Sequence, residues 1–253
     1  MRRLMEYKII SGRTVEIRRT MLPFREKGQK VRRGKKVGKT SLRKILANER
    51  EAVKNLARTL NCNFRQGDCW ITLTYPENAL PASREEAKAE LEKLMRKFRE
   101  AYRKRTGKKI FRYAVSIGDR DGKTGLQEKR LHIHIVMPAV EYELVTALWP
   151  AEDVTYRRLD GRGDYTGIAR YMVTNAGPAD GKKRWSTSKG MLKPAYTEPV
   201  PVERREKIRI PRDVSLKANE EFMDEETGMF SAYVRYTMPR NAKVGSRVSA
   251  RGH

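Results

Sequence analysis

Apolar residues recur along this chain with two periods, and each period predicts a different element. Two segments, 40–61 and 83–105, repeat an apolar residue every three to four positions, as the buried stripe of a helix does. Ser83 and Glu86 form a capping box at the start of the second helix. Other segments alternate in polarity or are rich in β-branched and aromatic residues, which predicts strands. These strand segments are 68–76, 109–117 and 130–137.

Shorter elements are predicted in the rest of the chain. Helices are expected at 140–148 and at 165–174, each followed by a proline or a Gly-Pro pair that ends it. The three prolines of 194–202 predict a linker. Further predicted strands lie at 7–17, 154–159, 207–210 and 229–236.

Two histidines stand two positions apart in the strand predicted at 130–137. Residues with this spacing share a face of a strand, so His132 and His134 are predicted to point the same way. The residues between and beside them are apolar and then point into a core. Imidazole is the commonest metal-binding side chain, but a His-x-His pair on a strand is more often an ordinary polar or half-buried face. The pair becomes a candidate metal site only in combination with residues downstream.

A metal held by two imidazoles needs further ligands, and three carboxylates are candidates. We favour Asp119, because it ends the preceding strand and would lie near His132 if the two strands paired as a hairpin. Asp121 and Glu128 are alternatives, although Glu128 is about 13 Å from His132 along an extended strand that rises ~3.3 Å per residue. Oxygen ligands beside imidazole favour Mn²⁺ or Mg²⁺.

The charge of the chain predicts a polyanionic partner. There are 56 Lys and Arg residues against 31 Asp and Glu residues, a formal net charge of +25, and nucleic acid is the leading partner for such a protein. Two basic runs, 25–39 and 182–193, are expected to contact phosphates, and Trp185 to stack on a base. A solvated tail is the alternative for the first run. The predicted DNA-binding residues are Arg32, Arg33, Lys35, Lys36, Lys182, Lys183, Arg184, Trp185 and Lys189.

Other patterns predict a cytoplasmic protein. The sequence has no apolar run of about 18 residues to span a membrane and no apolar signal segment near its N-terminus. Cys62 and Cys69 match neither a disulfide framework nor a zinc signature. We therefore expect reduced, structural cysteines.

A metal on a basic protein suits phosphodiester chemistry, because it can polarise a non-bridging oxygen. Water as the nucleophile gives a simple nuclease, whereas tyrosine gives a covalent phosphotyrosine that conserves the bond energy for rejoining. Tyr171 is the candidate nucleophile, since Ile168 and Met172 form a buried edge of its predicted helix and Tyr171 lies beside that edge. A core or surface role is the ordinary interpretation for the other ten tyrosines.

The order of four motifs resembles the HUH endonucleases, in particular the rolling-circle replication initiators of Gram-positive plasmids, phages and integrative elements. The motifs are Trp70–Tyr75 (WITLTY), His132-Ile-His134, Tyr171 on a helix, and Trp185–Pro194 (WSTSKGMLKP). The resemblance covers roughly residues 40–200. It implies an α+β fold, with a ferredoxin- or RRM-like antiparallel sheet backed by helices and with N- and C-terminal extensions.

The resemblance also implies roles for these residues. His132 and His134 would bind the metal, and Tyr171 would nick single-stranded DNA at an origin, keep the 5′ phosphate and leave a 3′ hydroxyl that primes replication before rejoining. Two features depart from the family: no lysine follows Tyr171 at about three residues, and 116–118 stand where a glutamate is common. Lys182, Lys183 or Lys189 are alternatives for the missing charge. Tyr165 is a further tyrosine, but six residues is not the spacing of the paired-tyrosine members.

The predicted division is a basic N-terminal extension at 1–39, the nuclease domain at 40–202, a C-terminal β extension at 203–240 and a disordered basic tail at 241–253. A chain of this length is expected to depend on a host helicase for duplex unwinding. Two alternatives remain open. One is a non-catalytic basic module that binds DNA or RNA on the same fold, which the missing lysine and glutamate favour. The other is a relaxase or transposase with the same chemistry.

Overall fold

Two antiparallel sheets, in different parts of the chain, contain the described β-structure. The structure, a computed structural model, describes residues 2–23, 42–120, 123, 128–149, 153–176, 183–224 and 228–241. The chain divides into two units: the terminal unit combines Met1–Asn48 with Lys193–His253, and the inserted unit is Glu49–Leu192. The predicted α+β class with antiparallel sheets is confirmed.

The described residues form eleven strands and four α-helices, with one turn of 3₁₀ helix at Glu77–Ala79. In chain order they are β1 (Arg2–Ser11), β2 (Thr14–Pro23), α1 (Leu42–Asn63), β3 (Cys69–Thr74), α2 (Arg84–Thr106), β4 (Ala114–Arg120), β5 (Glu128–Met137), α3 (Tyr142–Leu148), β6 (Val154–Arg158), α4 (Thr166–Asn175), β7 (Ser186–Thr187), β8 (Ala195–Tyr196), β9 (Val200–Pro201), β10 (Ser215–Met223) and β11 (Phe230–Thr237).

The sheet of the inserted unit has the order β6-β3-β5-β4-β7, with the histidine strand β5 at its centre. One face, which includes Ile71 and Ile133, packs in a core with the apolar stripe of α2. The opposite face, which includes Val136, packs in a second core with apolar residues of α1 and α4. A two-faced sheet covered by helices keeps β5 out of water on both sides, so its side chains are held in fixed positions.

The predicted helices are confirmed with small shifts at their ends. Helix α2 begins after Ser83, whose hydroxyl accepts a hydrogen bond from the backbone N–H of Glu86 at 3.1 Å. It ends at Gly107, which adopts a φ of 68° and donates its N–H to the carbonyl of Arg103. A left-handed residue of this kind ends many helices, and glycine adopts it without a steric cost.

The terminal unit is built around a hairpin of two ten-residue strands, β1 and β2. The unit's main sheet order is β10-β11-β2-β1-β8, with β9 also paired to β1. Strand β11 pairs along β2 from Ser231 opposite Thr20 to Thr237 opposite Thr14. Val15, Ile17 and Val234 form its buried core. The sequence predicted only short strands at 7–17, so the hairpin is longer than expected.

Several predictions of strands and linkers were wrong. The strand predicted at 109–117 begins only at Ala114 and continues to Arg120. The segment 207–210 is not a strand, and its isoleucines instead pack against the terminal core. The predicted linker at 194–202 contains β8 and β9, which pair with β1. Strand β10 was not predicted, because it is an edge strand with nearly all residues exposed and therefore shows no alternation of polarity.

Candidate functional site

The two histidines lie at the centre of the sheet, on the face that α4 covers. Their neighbours across the strands are small: Thr72 and Ser116 stand opposite His134, and Gly118 stands opposite His132. Directly opposed residues share a face, so these side chains surround the two imidazoles. The predicted common direction of the pair is present, with ring centroids 4.9 Å apart.

Hydrogen bonds to the Nδ1 atoms fix how the two rings are presented. His132 Nδ1 lies 2.5 Å from the carbonyl oxygen of Arg130, which can only accept, so Nδ1 carries a proton and Nε2 of the neutral ring carries the lone pair. His134 Nδ1 lies 2.8 Å from the Thr72 hydroxyl. When His134 donates from Nδ1 to Thr72, its Nε2 also presents a lone pair. Partners of this type orient the imidazoles of metal sites.

His134 is held in the neutral form that metals require. It is fully buried. Burial, together with the adjacent His132, lowers the pKa of His134 from 6.5 to about 3, with a smaller opposing contribution from Asn175. A neutral imidazole at physiological pH is a competent ligand without first losing a proton.

Helix α4 approaches the sheet closely at Gly118. A β-carbon added there would overlap Asn175 Oδ1, lie 2.5 Å from Asn175 Cγ and lie 3.0 Å from the Asn175 carbonyl oxygen. The Asn175 side chain donates from Nδ2 to the carbonyl oxygen of Arg120. Glycine at position 118 therefore allows the last turn of α4 to reach the histidine face.

Tyr171 stands beside His134 on this face. Its ring centroid lies 5.1 Å from that of His134 and 5.8 Å from that of Trp70, both in edge-to-face geometry. Tyr171 is half-buried, whereas Met172 is fully buried, as expected for a residue beside the buried edge of α4. Tyr171 and Asn175 are four residues apart and so lie on the same side of the helix.

Three buried polar atoms at this point make no hydrogen bond within the part of the chain that the structure describes. They are His134 Nε2, Asn175 Oδ1 and Ser116 Oγ. An unpaired buried polar atom costs roughly 1–3 kcal/mol, so three of them around one imidazole need an explanation. Two of the three, the imidazole nitrogen and the amide oxygen, are donor atoms that metal ions accept.

Asp119 does not join the histidines. Strands β4 and β5 do pair as the predicted hairpin, but a register shift falls between Gly118 and Arg120. Because Gly118 is on the histidine face, its successor turns away, and the Asp119 carboxylate pairs with Arg84 of α2 at 3.3 Å. Among the described residues, no three His, Cys, Asp or Glu side chains are grouped closely enough to hold a metal. Asp121 and the side chain of Glu128 lie outside the described residues.

Tyr165 is placed apart from this arrangement. It is 4% exposed and belongs to the core that α1 and α4 share. Its hydroxyl donates to the carbonyl oxygen of Asp160 at 3.2 Å. These contacts give it a structural role.

The predicted DNA-binding residues fall into different environments. Lys183 and Lys189 are exposed. Arg184 is mostly buried and pairs with Glu49 at 3.0 Å, and it also donates to the Val173 carbonyl, so its charge is used inside the inserted unit. Trp185 is half-buried and packs against the core beneath α4. The other predicted residues, Arg32, Arg33, Lys35, Lys36 and Lys182, lie outside the described residues.

Sequence reasoning missed several residues that the fold brings to the histidines. Thr72, Ser116, Gly118 and Asn175 are separated in the chain and meet only through strand register and the packing of α4. Trp70 was noted as part of a motif but not as a neighbour of Tyr171. Exposed Arg157 lies above the Trp70 ring, 6.0 Å from its centroid, and adds a cation at the rim of the site. No local signal in the sequence marks these residues, except the spacing of Tyr171 and Asn175.

The region that contains this site resembles a known family. Residues 68–176 match the model of a replication-associated protein family, the one named after ORF2. The match runs from the residue before β3 to the residue after α4, so it includes both histidines and Tyr171, and it indicates a role in DNA replication. No curated protein and no solved structure matches the chain significantly. No helix of the described residues is long and apolar enough to cross a membrane.

Proposed function

We propose that this protein initiates rolling-circle replication by nicking single-stranded DNA at an origin through Tyr171. The observation that carries the proposal is the position of Tyr171 beside His134, a buried, neutral imidazole whose Nε2 has no partner among the described residues. A nucleophile next to a vacant ligand atom is the arrangement that metal-assisted phosphoryl transfer needs. The match to a replication-associated family supports the DNA substrate.

The residues present fit a divalent metal ion such as Mn²⁺ or Mg²⁺. We assign His132 and His134 through their Nε2 atoms, and we replace Asp119 with the buried, unpartnered Oδ1 of Asn175 as the third protein ligand. Amide oxygens and imidazoles are both accepted by Mn²⁺. The metal would supply charge at a non-bridging phosphate oxygen.

The chain's own residues then perform the exchange of bonds. The Tyr171 oxygen gives up its proton and forms a new bond to phosphorus, while the bond from phosphorus to the 3′ oxygen breaks and that oxygen takes up a proton. One phosphodiester replaces another, so the step needs no external energy and can run backwards to rejoin the strand. Trp70 and His134 hold the tyrosine ring from two sides, which restricts it before the substrate arrives.

Exposed cations beside this face are proposed to bind the DNA backbone. Lys183, Lys189, Arg157 and Arg170 are exposed in the inserted unit, and Arg157 and Arg170 come from the elements that also present Trp70 and Tyr171 or lie next to them. Such contacts position a single strand without reading its sequence. A host helicase is the proposed partner for opening the duplex.

A nicking assay tests the proposal. The purified protein is incubated with Mn²⁺ and single-stranded fragments that tile the DNA around its gene, and a covalent protein–DNA adduct is sought on a denaturing gel. We expect an adduct in the unmodified protein and in Tyr165→Phe, and none in Tyr171→Phe, in His132→Ala or with a chelator. Tyr165→Phe is the matched control, because it removes a tyrosine hydroxyl from the same region.

The possible failures lead to different conclusions. An adduct that survives Tyr171→Phe would show that another residue is the nucleophile. An adduct that is equally abundant in chelator would remove the metal from the proposal. DNA bound on every fragment without cleavage would favour the non-catalytic binding module.

A further inference from the structure

A second basic feature of the inserted unit lies at the end of the sheet away from the histidines. It is a cavity of about 790 Å³. It opens where β3 begins and β5 ends, with Asp68 and Pro138 on its wall. Pro138 follows His134 by four residues, so the cavity is about 13 Å along the strand from that histidine at ~3.3 Å per residue.

The wall of this cavity, here the distal cleft, carries five cationic side chains. They come from the segment after α1, the last turn of α2 and the segment that leads into β4, and they are Arg65, Arg105, Lys108, Lys109 and Arg112. Among the described residues that line the wall, the only carboxylate is that of Asp68. Cations that converge from three chain segments on one concavity create a strong local positive potential.

The described groups around the cleft do not neutralise this charge. Asp68 accepts from the backbone N–H of Arg65 at 2.8 Å and from the backbone N–H of Ala139 at 3.3 Å, so both of its oxygens are used to brace the loops. Arg105 is paired with Glu141 at 2.8 Å. Lys108 and Lys109 are exposed, and their ammonium groups form no ion pair with any described residue.

The distal cleft also offers apolar surface among its cations. Ile110 follows the two lysines and is 63% exposed. Phe64 and Tyr102 form the buried back of the wall. Cationic groups that alternate with apolar surface suit a single nucleic-acid strand, whose phosphates need charge and whose bases and sugars need a surface to pack on.

We infer that the distal cleft is a second binding site for single-stranded DNA, which holds the phosphate backbone of the strand beyond the nicking site. The inference rests on the proposed function for the identity of the strand. Two contact points at opposite ends of one sheet would fix the direction of the strand across Tyr171, and they would keep the protein on DNA that it has nicked.

The test measures the salt dependence of binding to a fluorescent oligothymidylate by anisotropy. All proteins carry Tyr171→Phe and are measured without added metal, so that cleavage does not interfere. The cleft variant is Lys108→Glu/Lys109→Glu. The control is Lys93→Glu/Lys97→Glu, which makes the same change of charge on the exposed side of α2.

We expect the cleft variant to lower the slope of log K against log salt concentration by about 1.4, since each phosphate contact to a single strand contributes ~0.7. The control should keep the slope of the parent. Equal slopes in all three proteins would overturn the distal cleft, and so would an equal loss in both variants, which would reflect net charge alone. A parent that does not bind the oligonucleotide would instead refute the proposed function together with this inference.

Discussion

The contact between α4 and the sheet at Gly118 gives the sharpest prediction. Gly118→Ala adds one carbon where Asn175 already lies: the new atom would overlap Asn175 Oδ1, and even the Asn175 carbonyl oxygen would be 3.0 Å away. The side chain can rotate aside, but the backbone oxygen can move only with the helix. The substitution therefore pushes the end of α4, and with it Tyr171, away from the histidines.

The expected cost follows from two losses. Overpacking a dense interior costs about 1–3 kcal/mol, and expelling the Asn175 side chain breaks its hydrogen bond to Arg120, worth about 1 kcal/mol. We expect Gly118→Ala to lower the free energy of unfolding by roughly 2–4 kcal/mol. The matched control is Gly167→Ala in α4, where a β-carbon would meet nothing within 4 Å. Alanine is the better helix former by up to about 1 kcal/mol, so the control should stabilise the protein.

Urea unfolding followed by circular dichroism measures both effects, and a double-mutant cycle tests the cause. In the background of Asn175→Ala, Gly118→Ala should cost clearly less, because only the contact with the backbone oxygen remains. A cost of less than about 0.5 kcal/mol for Gly118→Ala, the size of an ordinary surface change, would refute the close approach. An unchanged cost in the Asn175→Ala background would show that Asn175 is not what the new carbon meets.

Three further predictions concern charge and metal. The unfolded chain protonates His134 near pH 6.5 but the folded chain only near pH 3, so the unfolded state binds more protons in this window and stability should fall by up to about 1.4 kcal/mol per unit as the pH drops; His134→Gln should flatten this part of a plot of urea midpoint against pH. Arg184→Ala should lower the urea midpoint and leave the salt slope of DNA binding unchanged, because Arg184 pairs internally, whereas Lys189→Ala should lower the slope by ~0.7 and spare stability; the opposite pattern would reverse these roles. Saturating Mn²⁺ at about 100 times its Kd should raise the free energy of unfolding by about 2.7 kcal/mol, and calorimetric titration should show weaker binding in Asn175→Ala; equal affinity would exclude Asn175 as a ligand.

Local sequence patterns predicted those parts of the site that depend on local geometry. The shared face of His132 and His134 follows from the two-residue repeat of a strand, and the position of Tyr171 beside a buried edge follows from the repeat of a helix. The helix boundaries at Ser83 and Gly107 follow from capping chemistry. These features need no knowledge of which elements pack together.

The parts that failed depend on register and on exposure. Asp119 was favoured from its place in the chain, but the shift of register after Gly118 puts its carboxylate beside Arg84. Asn175 reaches the histidines only because α4 packs against a glycine, which no pattern along the chain records. Strand β10 is an exposed edge and lacks the alternation by which strands are recognised.

The pairing of β2 with β11 has a consequence for synthesis of the protein. Residue 14 pairs with residue 237, while all strands of the inserted unit are made in between. The β1–β2 hairpin can form as soon as it leaves the ribosome, but one side of β2 then has no partner from β11 for about 10–40 s at ~5–20 residues per second. An unpaired edge ten residues long favours association between nascent chains. The yield of folded protein should therefore depend on how fast the ribosome moves between these two strands.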